Sequence, residues 1–373
     1  MKKENNNNAK PLILIMPSAP PSTAEAAKAA GIESLPVSVG VFASGEPFVE
    51  LFPKSGDDAD KHAAMIKGRD VMVVQSGGEP VGETTAHLLM AVHTLKAYGA
   101  AHVTAVMPFA PYMRQDRTFD KRFVSLGAAF FAHQLKAAGA DAAVTLTPHS
   151  QAGIDVYKKV FGDNFTAQSA TGLFAAYIQK QLGSDAASLA IGAPDGADKA
   201  ADEGQIRARA LADAVFGGHD GDKLFLIAKT HTGVNDTKIT AFTGDVAGKH
   251  CVIVDDMIDG GSTMINAAKL LKSRGALSVT ACAAHGILSG AALEKILAAA
   301  ADDGRPAIDK LALTDSLPQA AVKAAALIEK TPALASRIDI LPAADILLQA
   351  AQDLRQAPAV ARGLQKPLRK HAP

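Results

Sequence analysis

The chain of 373 residues holds only two cysteines, Cys251 and Cys282, each inside an apolar, strand-like run. So sparse a supply excludes a disulfide framework and a thiolate zinc site, and it points to a reducing compartment, the cytoplasm. Net charge is lacking too, since 38 lysines and arginines balance 38 aspartates and glutamates. With no long run of one sign, general nucleic-acid binding and attachment to a membrane surface are excluded as function classes. No apolar stretch approaches the roughly 20 residues of a membrane span. The first one, in MKKENNNNAKPLILIMPSAPPS, runs for about six residues, too short for the core of a secretory signal. These absences favour small or locally recognised substrates.

What is present is core-forming material, with 48% hydrophobic and 20% charged residues, enough for one large or, better, two ordinary domains. Short β-like runs (PLILIMP, DVMVVQS, HVTAVMPF, AAVTLTP, KLFLIAK, HCVIVDD, SVTACAAH, KLALTDS) alternate with alanine-rich amphipathic stretches such as Thr84 to Ala97 and Leu126 to Ala138. That alternation predicts an α/β fold with mostly parallel strands and helical crossovers. The strand-then-helix rhythm around Val71 to Lys96 returns around Val252 to Lys272, without a strict residue repeat. We expect a disordered terminus at 1–10, an N-terminal domain at 11–165, a C-terminal domain at 166–345, and a terminal helix with a loose Pro/Lys/Arg-rich tail at 346–373.

The segment with the most chemistry is Cys251 to Thr263, CVIVDDMIDGGST. An apolar strand ends in the acids Asp255 and Asp256, then turns through Gly260 and Gly261 into a helix read over Thr263 to Ser273 and stopped by Arg274-Gly275. Glycine lets the main chain come close to a ligand, and the free N–H groups of a helix start attract an anion, so a phosphate fits the turn. Asp255 and Asp256 suit sugar hydroxyls or a hydrated Mg²⁺. The plainer alternative is a strand-to-helix turn capped by Asp259 or Ser262, with the acids solvated. Elsewhere, His87 and His93 lie six apart on one helix and do not share a face as a metal pair would. Met257 and Met264 read as core filling.

The acid pair followed by a Gly/Thr turn resembles the ribose-phosphate motif of phosphoribosyltransferase-fold proteins. With MPFAPYMRQDR (107–117), DVAGK (245–249), AHGILSG (284–290) and TDSLP (314–318), the chain from about Phe42 to Asp345 resembles the ribose-phosphate pyrophosphokinase family. The resemblance implies two similar phosphoribosyltransferase-type domains, each a mostly parallel sheet flanked by helices. It also implies transfer of the β,γ-diphosphoryl group of ATP to the C1 hydroxyl of ribose 5-phosphate, with Mg²⁺ as cofactor. Implied residues for ribose 5-phosphate are Asp195, Asp255, Asp256, Asp259, Gly260, Gly261, Ser262 and Thr263. For ATP they are Arg114, Gln115, Asp116 and His149, joined by Phe42, Ser44 and Glu46 from a neighbouring subunit of a homo-oligomer, dimer or hexamer. His149 and Asp195 are implied for the metal, and Lys229 and His231 for catalysis.

Three positions and one stretch depart from the family pattern. Ser44 precedes Gly45 where an acid is usual, Thr147 replaces an acid two residues before His149, and His231 stands in for a second cation after Lys229. The stretch 197–205 is longer than the family's. These departures keep a second reading open, a non-catalytic homologue that binds ribose phosphate and regulates or scaffolds a partner. A phosphoribosyltransferase is disfavoured by Arg114-Gln115-Asp116-Arg117 and by the length of the chain.

Overall fold

The computed structural model describes residues 10–52, 59–118, 123–183, 187–194, 203–218, 224–233 and 236–356, with the side chains of 59–62 and 228–240 outside the description. Strands are numbered in chain order. The first part of the chain supplies β1 (Leu12–Ile15), β2 (Glu33–Pro36), β3 (Ser38–Val41), β4 (Pro47–Glu50), β5 (Asp70–Val74), β6 (His102–Met107), β7 (Ala142–Leu146) and β8 (Phe165–Gln168). The second supplies β9 (Leu189–Ala193), β10 (Leu224–Gly233), β11 (Asp236–Thr243), β12 (His250–Ile258), β13 (Ser278–Gly286), β14 (Lys310–Thr314) and β15 (Ile338–Leu341). Six strands form one sheet in the order β2-β1-β5-β6-β7-β8, and seven form another in the order β11-β10-β9-β12-β13-β14-β15. Every pairing in the two sheets is parallel except β10 with β11. β3 and β4 make a separate antiparallel hairpin.

Strands buried on both faces need apolar residues at every position, which is why runs such as Val71–Val74 and Cys251–Val254 do not alternate with polar ones. Along β1, Leu12 and Leu14 face an outer apolar layer while Ile13 faces the middle of the molecule; along β12, Cys251 and Ile253 face outward while Val252 and Val254 face the middle. That middle layer is shared by both sheets. It is filled by Ala27 from the helix Thr23–Ala29, Phe174 and Ile178 from Thr171–Leu182, Leu211 from Glu203–Phe216, and Leu347 and Leu348 from Ala344–Gln356. The last helix follows β15 in the second sheet but packs against β6, β7 and β8 of the first. Arg355 locks it there with a two-pronged ion pair to Asp70, 2.5 and 2.9 Å.

The expected division at 165/166 falls inside β8, whose residues 165–168 all pair with β7; residues 1–9 and 357–373 lie outside the description. One expectation is corrected. The β-like run KLFLIAK was to end at Lys229, whereas β10 continues to Gly233 and pairs with β11, with a register shift between Ala228 and Lys229. The β-branched and aromatic residues of THT and TKITAFT on either side of 234–235 favour a hairpin over a loop. Among the described residues no helix is long and apolar enough to cross a membrane.

Candidate active site

In open α/β sheets ligands gather outside the carboxyl ends of the strands, and here those ends of the two sheets meet. His149, just past β7, places Nδ1 2.8 Å from Oδ2 of Asp256 near the end of β12. Arg114, past β6, reaches Oδ2 of Asp259 at 3.1 Å. The cleft between them has Arg114 and His149, implied for ATP, on one wall and Asp256 and Asp259, implied for ribose 5-phosphate, on the other.

On the second wall, Gly261 takes φ +81° in the left-handed region and caps the helix Ser262–Ser273 without any side-chain hydrogen bond. The helix begins one residue earlier than the sequence suggested. Neither Asp259 nor Ser262 caps it. Asp259 is instead held by Arg114 and by Ser289 Oγ, which donates to Oδ1 at 2.5 Å, so the plain capped-turn reading does not hold. The N–H groups at the helix start are left without a side-chain cap, the arrangement in which a helix N-terminus can accept an anion. A side chain at Gly261 would meet Ile296 Cγ1 at 2.7 Å, while at Gly260 nothing lies within 4 Å.

The acid pair lies within β12, which runs on to Ile258 past the expected strand end. Arg207, from the helix Glu203–Phe216, donates to Asp255 Oδ1 at 3.0 Å and sits 3.1 Å from Asp256 Oδ1. The Asp256 side chain is only 4% exposed. Burial opposes its charge, but the hydrogen bond with His149, the Arg207 guanidinium and the hydrogen bond with Asp255 together hold its carboxyl well below the usual carboxylate range.

On the first wall, the Arg114 side chain is 58% exposed and available to a ligand. Gln115 accepts from Ser125 Oγ at 2.9 Å. Asp116 turns inward, its side chain 2% exposed, where it receives Arg117 at 2.9 and 3.1 Å and the hydroxyl of Ser150. Ser150 in turn caps the helix Gln151–Phe161 through Gly153 N, so Asp116 acts on the cleft by fixing the segment that carries His149. Three non-glycine residues among those described have φ in the left-handed region: Tyr112 (61°), Thr147 (35°) and Leu288 (53°). They follow β6, β7 and β13 at the cleft. Strain gathered in this way marks functional segments.

Phe42, Ser44 and Glu46 form the turn of the β3–β4 hairpin. Ser44 Oγ donates to Glu46 Oε2 at 3.1 Å, and the exposed Phe42 ring lies 4.8 Å from Phe48. These contacts stay within the hairpin. Asp195 and residues 197–202 of the long segment lie outside the described residues; its end, 203–205, is the first turn of the helix Glu203–Phe216, and Glu203 accepts from Gln151 N at 2.8 Å. Lys229 and His231 are described by their backbone alone. Met264 is core, but Met257 is half-buried and lines a small void between the sheets with His149 and His285. His87 is buried and His93 exposed, so they form no pair.

Sequence reasoning missed Arg207 as the bridge between the two acids and gave no role to Ser150, Ser289 or His285. Position within AHGILSG was the one available signal for His285. This ring is 2% exposed, and burial lowers its pKa from the ordinary 6.5, as it does for His87 and His102. A histidine whose folded value is depressed stabilises fully above its unfolded value and loses that contribution as pH falls from there. We expect the urea midpoint to drop as pH falls from about 7 through 6.5 toward the folded values; a midpoint flat from pH 7 to pH 5 would contradict the burial of these neutral rings.

Two family profiles match the chain: the N-terminal domain of ribose phosphate pyrophosphokinase over residues 12–139 and the phosphoribosyl synthetase-associated domain over residues 229–356. Among curated relatives, a ribose-phosphate pyrophosphokinase of Burkholderia pseudomallei is 32% identical, covering 80% of this chain and 82% of its own length. One of Corynebacterium efficiens is 32% identical with coverages of 85% and 87%. The crystal structure of phosphoribosylpyrophosphate synthetase from Mycobacterium smegmatis superposes with a TM-score of 0.69 at 28% identity, covering 95% of this chain and 99% of that one.

Proposed function

Because the chain belongs to the ribose-phosphate pyrophosphokinase family, we propose that its cleft transfers the β,γ-diphosphoryl group of ATP to the C1 hydroxyl of ribose 5-phosphate, giving phosphoribosyl pyrophosphate and AMP. The observation that carries this reading is the meeting of His149 with Asp256, which sets the nucleotide wall against the sugar-phosphate wall. The 5-phosphate sits on the uncapped N–H groups of Gly260, Gly261, Ser262 and Thr263, and Asp255 and Asp256 take the ribose hydroxyls. Arg114, Gln115 and His149 face ATP, with Asp116 behind them. The C1 oxygen attacks the β-phosphorus as the bond to the α,β-bridging oxygen breaks and AMP leaves; the hydroxyl proton is released. Such a reaction depends chiefly on placement and charge neutralisation.

Mg²⁺ suits this donor set. Among the described residues no group of three His, Cys, Asp or Glu side chains could cage a metal, and Mg²⁺ characteristically uses one or two protein ligands alongside waters and substrate phosphates. A carboxylate holding one ring nitrogen, as Asp256 holds Nδ1 of His149, is the support that a metal-ligating histidine uses. His149 and Asp195 would hold the ion, which when bound would neutralise charge on the ATP phosphates. The exposed hairpin of Phe42, Ser44 and Glu46 would reach the adenine of a neighbouring subunit, making the protein a homo-oligomer. Two free, buried thiols suit the cytoplasm.

The purified chain, incubated with ATP, Mg²⁺ and ribose 5-phosphate, is expected to release AMP; none above a heat-killed control would sink the proposal and leave the non-catalytic reading. Lys229→Ala should lower kcat by about 10²–10³-fold with KM little changed, as loss of a transition-state cation does. Retained kcat would remove Lys229 from the mechanism.

A further inference from the structure

We propose that His285, set by Ser316, is a positioning residue that aims the nucleotide wall of the cleft at the ribose-phosphate wall. The proposal rests on the reaction assigned above and extends it to a buried ring that never touches substrate. His285 lies near the end of β13 in the second sheet, yet three of its partners, Leu146, Thr147 and Phe109, come from the first part of the chain. Nε2 lies 3.1 Å from the carbonyl oxygens of both Leu146 and Thr147, and the ring stands edge-on to Phe109 with centroids 4.9 Å apart. On its other side Nδ1 is 2.9 Å from Ser316 Oγ, and the backbone oxygen of Ser316 accepts from Ser76 Oγ. One histidine and one serine from the second sheet therefore touch the segments that follow β5, β6 and β7.

Hydrogen-bond accounting assigns the ring's protons. Two carbonyls at Nε2 require N–H there, so in the neutral ring Nδ1 must accept, and Ser316 must donate to it. The Ser316 hydroxyl also lies 2.9 Å from Ala284 O, but Thr314 Oγ1 serves that carbonyl at 2.5 Å, which leaves the serine proton for His285. The three polar members of the sequence Thr314-Asp315-Ser316 thus have separate tasks. Asp315 is buried as well and accepts from Ser22 N of the first part of the chain at 3.1 Å and from Ala343 N at 2.9 Å.

The consequence lies at Thr147. Its left-handed φ of 35° is held from three sides: its N–H donates to Gln168 O at 2.7 Å, its hydroxyl accepts from Ala170 N at 3.0 Å, and its carbonyl receives His285. A conformation this sparsely populated persists when its surroundings over-determine it. Pro148 and His149 follow directly, and their direction out of β7 brings His149 to Asp256. Without the His285 contact, Thr147 can relax and His149 swings away from the phosphates it serves. A misplacement of about 1 Å is worth on the order of 10²-fold in rate.

The test uses the full chain and three variants. His285→Phe keeps the ring and loses both polar contacts; His285→Gln returns an N–H near the Nε2 position; Ser316→Ala removes the donor to Nδ1. We expect kcat to fall about 10²-fold in His285→Phe, to recover to within about threefold of wild type in His285→Gln, and to lie between the two in Ser316→Ala. Ribose 5-phosphate affinity, measured by calorimetry, should stay within about twofold throughout, because the phosphate turn is untouched. Unchanged kcat in His285→Phe overturns the proposal. So does a uniform loss of ribose 5-phosphate binding that glutamine does not rescue, since that pattern belongs to a purely structural residue. Should the wild-type chain release no AMP, the reaction reading fails separately, and positioning is read from the ¹⁵N NMR signals of His149. Loss of its hydrogen-bonded signature in His285→Phe with return in His285→Gln supports the proposal, and an unchanged signature in His285→Phe overturns it.

Discussion

Asp256→Asn is expected to lower kcat/KM by about 10²–10³-fold, ~3–4 kcal/mol of transition-state stabilisation. The substitution keeps the shape of the side chain and removes its charge, so the effect isolates electrostatics. Asp256 is a buried carboxylate that touches both walls of the cleft, taking His149 from the first and Arg207 from the second. With an amide in place of the carboxylate a single acceptor oxygen remains, so it can serve His149 Nδ1 or Arg207 but not both, and the negative charge that pairs with Arg207 is left to Asp255. The variant should also be less stable, because removing one member of a buried pair costs about 3–5 kcal/mol and the remaining Asp255 contact places this case at the low end. Activity must therefore be measured where circular dichroism shows the variant folded.

The same residue makes a pH prediction with the opposite emphasis from the histidines. Its folded pKa is depressed, so its stabilising contribution is complete above the ordinary carboxylate value of about 3.9 and disappears as pH falls through the folded value. The loss between pH 7 and pH 5 should survive in Asp256→Asn, and the loss below about pH 4 should shrink. Urea titrations across that range check both halves.

Gly261→Val should lower the unfolding free energy by roughly 2–5 kcal/mol, combining about 1–2 kcal/mol for a left-handed residue with about 1–3 kcal/mol for overpacking. The φ of +81° is one that valine rarely adopts, and its Cβ would lie 2.7 Å from Ile296 Cγ1. Any relief moves the first turn of the helix Ser262–Ser273, which carries the N–H groups proposed to hold the 5-phosphate. The KM for ribose 5-phosphate should accordingly rise by at least about tenfold in enzyme that remains folded. Gly260→Ala is the stability control: its site is open, and the urea midpoint should remain that of the wild type. Equal stability losses in the two variants would show that backbone conformation at Gly261 is not what matters.

Much of the fold was legible because its signals are local. The runs at 71–74, 103–106 and 251–254 read as buried strands, and they are. The strands that escaped notice are short ones such as Glu33–Pro36 and Ile338–Leu341, or, like Leu189–Ala193, central but built of alanine and glycine as much as of β-branched residues. Alanine carries weak β-propensity, so LAIGA becomes a strand through its neighbours β10 and β12. The hairpin of β10 and β11 escaped for a different reason: its β-branched threonines favour strand, but around the turn it lacks the apolar run that marks a buried one.

At the site, local signals in the chain fix the strand, the glycine turn and the following helix to within a few residues, because backbone hydrogen bonding and the φ preference of glycine act over that range. Tertiary structure decided which charges meet. His149 and Asp256 are 107 residues apart, Arg114 and Asp259 are 145 apart, and His285 lies 138 residues from Thr147. No periodicity or spacing encodes such pairings. They arise because the helices between the two sheets fill one apolar layer, and that shared burial sets the carboxyl ends of the sheets face to face. Only then does Asp116 prove to be an inward brace, Arg207 a bridge between two acids, and Asp256 a carboxylate held ionised by partners from both walls.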